Sequence, residues 1–397
     1  MLHFIFVLSP VMHRTHLLFM PVLQETRGAQ QPPPEEAAGT SRSRGEILKA
    51  RLGYKNIINT DLVDDPMLTV ENIKTFKRTF KELTHLVNKS LKGPKYSNTG
   101  MLPIREADML QTVQDKESEA TKVRLYQLKR MAKGAGVLVN TFDWLEPTAL
   151  KALHDGVCAP GRPTPRVYCI EPLVNGGSRG DSGGERHECL AWLDAQPKRS
   201  VVFLCFGSMG AFSAAQLQEI ARGLESSGHR FLWAVSPREE QSQFPEPDLE
   251  RLLPAGFMER ASGWGMVVKN WAPQSEVVEH EAIAAFVTHS GWNSTLEAIM
   301  AMLPMICWPL YAEQSMNKAF LVEEMEIAVE MEGYGEFVKA EEVEAKVRLV
   351  MDTEEGKMLR ERLAVTKEKA LEAIKEGGSS KEAFAKFIRD LGQTSSS

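Results

Sequence analysis

The chain has 397 residues, of which 43% are hydrophobic and 25% charged, with a net charge of −6. That length accommodates two domains of ordinary size, each with its own core, and the composition is that of a globular protein. A mildly acidic chain without a sustained basic stripe excludes a nucleic-acid binder, whose affinity rests on neutralising phosphates.

The opening MLHFIFVLSPVM is apolar but lacks a basic lead, carries His3 and is interrupted by Pro10. It is too short for a membrane span and reads as a buried first strand, so a cytoplasmic protein without membrane insertion is expected. Residues 25–47, rich in Pro, Gly, Ser and charge, read as a disordered linker. The pattern from Thr69 to Leu91 predicts an amphipathic helix, as does that of residues 117–133. GVLVNTF is a short buried strand, followed by a helix opening near Glu146 and Pro147, where proline suits a first turn. RVYCI is another strand. The Gly- and Ser-rich stretch 173–186 then marks a boundary between an N-terminal domain, 1–175, and a C-terminal domain, 187–397.

Beyond it, apolar strands and helices alternate. VVFLCFGS, HRFLWAV, GMVVKNW, AAFVTHS and PMICWP read as strands. AAQLQEIARGLESSG, SEVVEHEAI, NSTLEAIMA and QSMNKAFLVEEM read as helices, with further helices to about Leu391. Short apolar strands separated by helices indicate a parallel sheet covered on both faces, an α/β fold. The five cysteines form no CxxC pair and read as buried free thiols in a reducing compartment. With no HExxH, a zinc-hydrolase reading lacks support. A nicotinamide-dependent oxidoreductase would expect GxGxxG after the first strand, and none is present.

In an open parallel sheet, ligands sit beyond the carboxyl ends of the strands, where helix N-termini present free N–H groups. FGSMG brings Ser208 and small residues to that edge, and WAPQSE brings Trp271 and Gln274. HSGWNSTLE brings His289, Asn293, Ser294 and Glu297, and WPLYAEQ brings Glu313 and Gln314. Donors converging on a helix N-terminus suit a diphosphate, Glu297 suits vicinal hydroxyls, and Trp271 suits a planar base. Together they suggest a nucleotide joined to a sugar. Each also has a plainer reading: Asn293 or Ser294 as a helix cap, Trp271 and Trp292 as core aromatics, Glu297 as a solvated residue.

Read as one block, WAPQSEVVEHEAIAAFVTHSGWNSTLEAIMAMLPMICWPLYAEQ resembles the donor-binding signature of plant UDP-sugar-dependent glycosyltransferases acting on small metabolites. The resemblance extends through HECLAWLDAQPKRSVVFLCFGSMG, LPIREADM and GVLVNTFDWLEPTALKAL, covering roughly residues 100–391. Its flavour is that of the group glucosylating flavonoids and related phenolics. It implies a GT-B fold of two Rossmann-like domains facing across a cleft, the terminal helix returning to the first domain. It implies UDP-glucose as donor, a small hydroxylated acceptor, and no metal or other cofactor. Trp271 would stack on uracil and the backbone of Ala272 would bond its edge. Gln274 and Glu297 would hold the ribose. His289, Asn293 and Ser294, with Ser208, would bind the diphosphate, and Trp292, Glu313 and Gln314 would fix the sugar. Ser290 stands where the family usually has Cys.

Inverting transfer in that family uses a histidine after the first strand as general base, oriented by an aspartate. Here VMHRTHLLFM offers His16, with His13 as rival, but the family's glycines are absent. Asp61, Asp64 and Asp65 lack the expected context and none is assigned. The N-terminal domain is also short for a complete Rossmann-like unit. Two functions therefore follow: a glucosyltransferase of phenolic acceptors, or a UDP-sugar-binding protein that has lost transfer activity.

Overall fold

The computed structural model describes residues 136–157, 164, 166–170, 172, 186–207, 210–235, 248–269 and 271–394, with positions 4–5, 20–21, 108, 117, 119 and 122. The expected linker at 25–47 and the helix at 69–91 lie outside the described residues, as does the boundary segment apart from Arg186. Of the helix expected at 117–133, only residues 117, 119 and 122 are described, the last two helical.

Two N-terminal strands, β1 (Phe4–Ile5) and β2 (Met20–Pro21), pair antiparallel. Next come β3 (Val137–Val139), α1 (Pro147–His154) and β4 (Val167–Cys169), with β3 and β4 parallel. Pro147 occupies the first turn of α1, where its missing N–H costs nothing.

The remainder alternates as α2 (Glu188–Asp194), β5 (Val201–Cys205), α3 (Ala214–Ser227) and β6 (Arg230–Val235). Two short helices, α4 (Leu249–Leu252) and α5 (Phe257–Arg260), precede β7 (Gly265–Lys269). Then follow α6 (Gln274–Glu279), β8 (Ile283–Thr288), α7 (Trp292–Ala301) and β9 (Met305–Cys307). α8 (Gln314–Ala319) runs into a π-turn at Phe320–Glu324, leading to β10 (Ala328–Glu330). The chain closes with α9 (Ala340–Asp352), α10 (Glu354–Ile374) and α11 (Ser379–Thr394).

The six-stranded sheet is parallel throughout, in the order β7-β6-β5-β8-β9-β10. Counted from β5 this is 3-2-1-4-5-6, the doubly wound order, in which the crossovers change direction between β5 and β8. Alternate side chains explain why the strand sequences are apolar without interruption. Phe203, Leu232, Phe286 and Met305 face Val277, Leu296 and Leu363 on one side. Val202, Trp233, Val287 and Ile306 face Leu217, Ile220, Val343 and Val347 on the other. Each fully buried large apolar side chain contributes about 1.5–3 kcal/mol, so both layers are held chiefly by this burial.

α6 is shorter than expected. It stops at Glu279 because His280 takes extended backbone (ψ 134°) and its Nδ1 accepts from Ala282 N–H at 3.2 Å, turning the chain into β8. α11 lies against β4: the Phe387 and Tyr168 rings meet edge to face at 5.3 Å. Asp390 accepts from the Tyr168 hydroxyl at 2.6 Å and from Arg166 at 2.7 Å. Among the described residues no helix is long and apolar enough to cross a membrane.

Candidate functional site

The turn after β5 and the turn after β8 flank the point where the sheet reverses winding, so side chains on them meet. Strand β8 ends at Thr288, and His289, Ser290 and Gly291 make the turn into α7. Ser290 takes a left-handed conformation, φ 63°. Gly291 occupies the N-cap and supplies no side-chain cap, so the first N–H groups of α7 face the sheet's C-terminal edge. Neither Asn293 nor Ser294 is the cap: Asn293 is exposed on the first turn and Ser294 is buried.

The His289 ring is lodged between the two turns. A Cβ at Gly207 would stand 2.9 Å from its ring atoms, and one at Gly291 would stand 2.5 Å from Nε2. Gly207 also has φ 72°, so both conformation and space demand glycine there. Ser208, one residue on, lies outside the described residues.

α6 and α7 contribute a second group. Gln274 Nε2 donates to Glu297 Oε2 at 2.6 Å and to Ser294 Oγ at 2.8 Å. Ser275 Oγ donates to the other carboxylate oxygen at 2.7 Å. Glu297 is thus braced by two donors from the first turn of the neighbouring helix, and three of the residues singled out from sequence form one hydrogen-bonded set. Ser275 was not singled out, although its place beside Gln274 put it on the same turn.

Trp271 stands at the rim, 63% exposed, with His187 edge-on to its ring at 5.7 Å. Ala272 beside it is buried. Trp292 behaves differently. Its indole is buried in the core, 1% exposed, and its Nε1 donates to the carbonyl of Asn140 at 2.7 Å. What reaches the edge at Trp292 is backbone and not ring, a distinction that residue type alone could not make.

At the turn after β9, Glu313 and Gln314 are both buried. The Gln314 carboxamide oxygen accepts from Leu310 N–H at 2.8 Å and Tyr311 N–H at 3.0 Å, which closes the loop and fixes its amide nitrogen. Asn317 Nδ2 donates to the carbonyl of Ser290 at 2.8 Å, tying α8 to the β8–α7 turn. Burial pushes the Cys205 thiol up to about 11 and that of Cys307 up to about 12, the latter partly opposed by the Ser290 hydroxyl. Neither is a thiolate at neutral pH. Cys169, Cys189, Cys205 and Cys307 are all free and buried. His16 and His13 lie outside the described residues.

The family described as "UDP-glucoronosyl and UDP-glucosyl transferase" matches residues 181–363, the span holding every group just described on α6, α7 and α8. Over 320 residues, the chain is 47% identical to an anthocyanidin 5,3-O-glucosyltransferase from a Rosa hybrid cultivar, covering 80% of this chain and 66% of that protein. Against a phloretin 2'-O-glucosyltransferase of Malus domestica the identity is 48%, covering 73% and 62%. A solved transferase from Siraitia grosvenorii, in complex with UDP, superposes with a TM-score of 0.65 at 33% identity, covering 79% of this chain and 75% of that one.

The chain belongs to the UDP-glucuronosyl and UDP-glucosyl transferase family. Phytolacca americana UGT2, complexed with UDP-2fluoro-glucose and pterostilbene, is likewise similar, with a TM-score of 0.66 at 35% identity, covering 78% and 68%. These similarities give the chain the α/β GT-B fold of plant members of the family. The chain spans 66% of the rose protein and 62% of the apple protein. Among the described residues no cluster of three or more His, Cys, Asp or Glu side chains could hold a metal ion.

Proposed function

We propose that this family member binds UDP-glucose at the C-terminal edge of the six-stranded sheet and transfers glucose, with inversion, to a hydroxyl of a small phenolic acceptor. The observation that carries the reading is the Gln274–Glu297–Ser275 set beside the exposed Trp271. A carboxylate held by two donors keeps lone pairs for further hydroxyls, as the two vicinal hydroxyls of a ribose require. The indole rim suits a pyrimidine face, and the backbone beside it at Ala272 can bond the base edge.

In this reading the diphosphate lies over the uncapped start of α7, near His289, Asn293, Ser294 and Ser208. N–H groups there would stabilise the negative charge that builds on UDP as the glycosidic bond breaks. Glu313, the amide of Gln314 and the backbone of Trp292 would hold the glucose. No metal or further cofactor is invoked. His16 would take the acceptor proton as the oxygen attacks the anomeric carbon from the face opposite UDP. The relatives named for glucosylating anthocyanidin and phloretin support a phenolic acceptor. The same reading makes residues 187–397 the donor domain and 1–175 the acceptor side, in the cytoplasm.

Two measurements test it. Calorimetry with UDP and UDP-glucose should show binding by the purified chain, and absence of affinity for both removes the donor site. A panel of phenolic acceptors with UDP-glucose should release UDP and glucoside, with His16→Ala abolishing turnover while leaving UDP affinity in place. Binding without turnover on any acceptor would instead identify a donor-binding protein lacking transfer activity.

A further inference from the structure

The structure contains a buried charge cluster that the donor reading does not use. Lys318, on α8, is fully buried. Its Nζ donates to Asp108 Oδ2 at 3.1 Å and to Glu330 Oε2 at 2.9 Å, and lies 5.3 Å over the Tyr334 ring. The Tyr334 hydroxyl donates to the other oxygen of Asp108, and burial together with Asp108 pushes the tyrosine well above its usual range. Asp108 itself is 1% exposed and comes from a part of the chain 210 residues away.

An ammonium and a carboxylate are costly to bury, and an apolar side chain at 318 would satisfy packing alone. What an apolar residue could not do is join α8 to Asp108. The helix is already tied on its other side, where Asn317 grips the Ser290 carbonyl of the β8–α7 turn. Gln314 sits one helical turn before Lys318, at the i, i+4 spacing that places both on one face. We propose that Asp108 and Lys318 are a positioning pair that sets the sugar-contacting end of α8 from the N-terminal half. This rests on the reading of Glu313 and Gln314 as the glucose subsite.

The experiment measures Kd for UDP and for UDP-glucose on the full chain and compares their ratio between variants. Asp108→Asn should weaken UDP-glucose about tenfold while UDP changes less than about twofold, in the range expected for residues that act through a packed neighbour. Asp108→Glu should recover part of the loss. Tyr334→Phe removes one hydrogen bond and no charge, so it carries the test if Asp108→Asn does not fold; a loss of about threefold confined to UDP-glucose is expected. Equal weakening of both ligands, or an unmoved ratio in folded variants, overturns the positioning role while leaving the donor site intact. A wild-type chain that binds neither ligand overturns both.

Discussion

Gln274 donates to Glu297 at 2.6 Å, joining the first turn of α6 to α7 across the edge of the sheet. With Ser275 on the second oxygen, the carboxylate is aimed before any ligand arrives, and an aimed acceptor loses little freedom on binding. Glu297→Ala should therefore weaken UDP by about 1.5–3 kcal/mol, the usual worth of hydrogen bonds to a charged group. Calorimetry with UDP checks this, and unchanged affinity would remove Glu297 from the ribose role.

Trp271 and Trp292 should part company on mutation. Trp271 is 63% exposed, so Trp271→Ala should cost little stability yet weaken uridine nucleotides by about 1–3 kcal/mol of lost stacking. Trp292 fills the core and bonds to Asn140, so Trp292→Ala should cost about 3–5 kcal/mol of stability. Thermal melts with and without UDP separate the two effects.

Gly291→Ala should also be destabilising, by about 1–3 kcal/mol. Its new methyl would stand 2.5 Å from His289 Nε2, so the ring or the turn must shift to make room. A lower Tm with weaker UDP binding is the expected pair of results. A Tm equal to wild type would show that the ring has room the structure does not give it.

Docking of α11 should depend on pH. The Tyr168 hydroxyl, and after it Arg166, hold the Asp390 carboxyl below its ordinary range. A depressed carboxylate stabilises the fold above its unfolded pKa, near 3.9, and that contribution fades as pH falls through the lower folded value. Hydrogen exchange along 379–390, divided by the intrinsic rate at each pH, should therefore speed up below about pH 4. In Asp390→Asn it should be faster already at pH 7, and a variant indistinguishable from wild type at that pH would show that the Asp390 contacts do not hold α11.

The strands from 201 to 307 were legible because a parallel strand buried on both faces must be apolar at every position, and VVFLC or IAAFVT admits few other readings. β10 escaped because AVE is three residues long with one partly buried, too little for a pattern. The overrun of α6 has a similar cause: EHEAI keeps helical composition, and only the His280 turn contact ends it. At the site, residue types pointed to Gln274 and Glu297, which do meet. They could not show that the Trp292 ring turns inward, or that a lysine in NKAFLV is buried against Asp108, since both depend on partners distant in the chain.

The α11 contact bears on how the protein is made. Tyr168 and the strand pair around it receive Phe387 and Asp390 only from the last helix. Among the described residues, the side chains packed on Tyr168 from outside that strand pair belong to α11, which leaves the ribosome after every strand described. Synthesis that stalls before that helix would supply every strand of the six-stranded sheet while leaving this contact unmade.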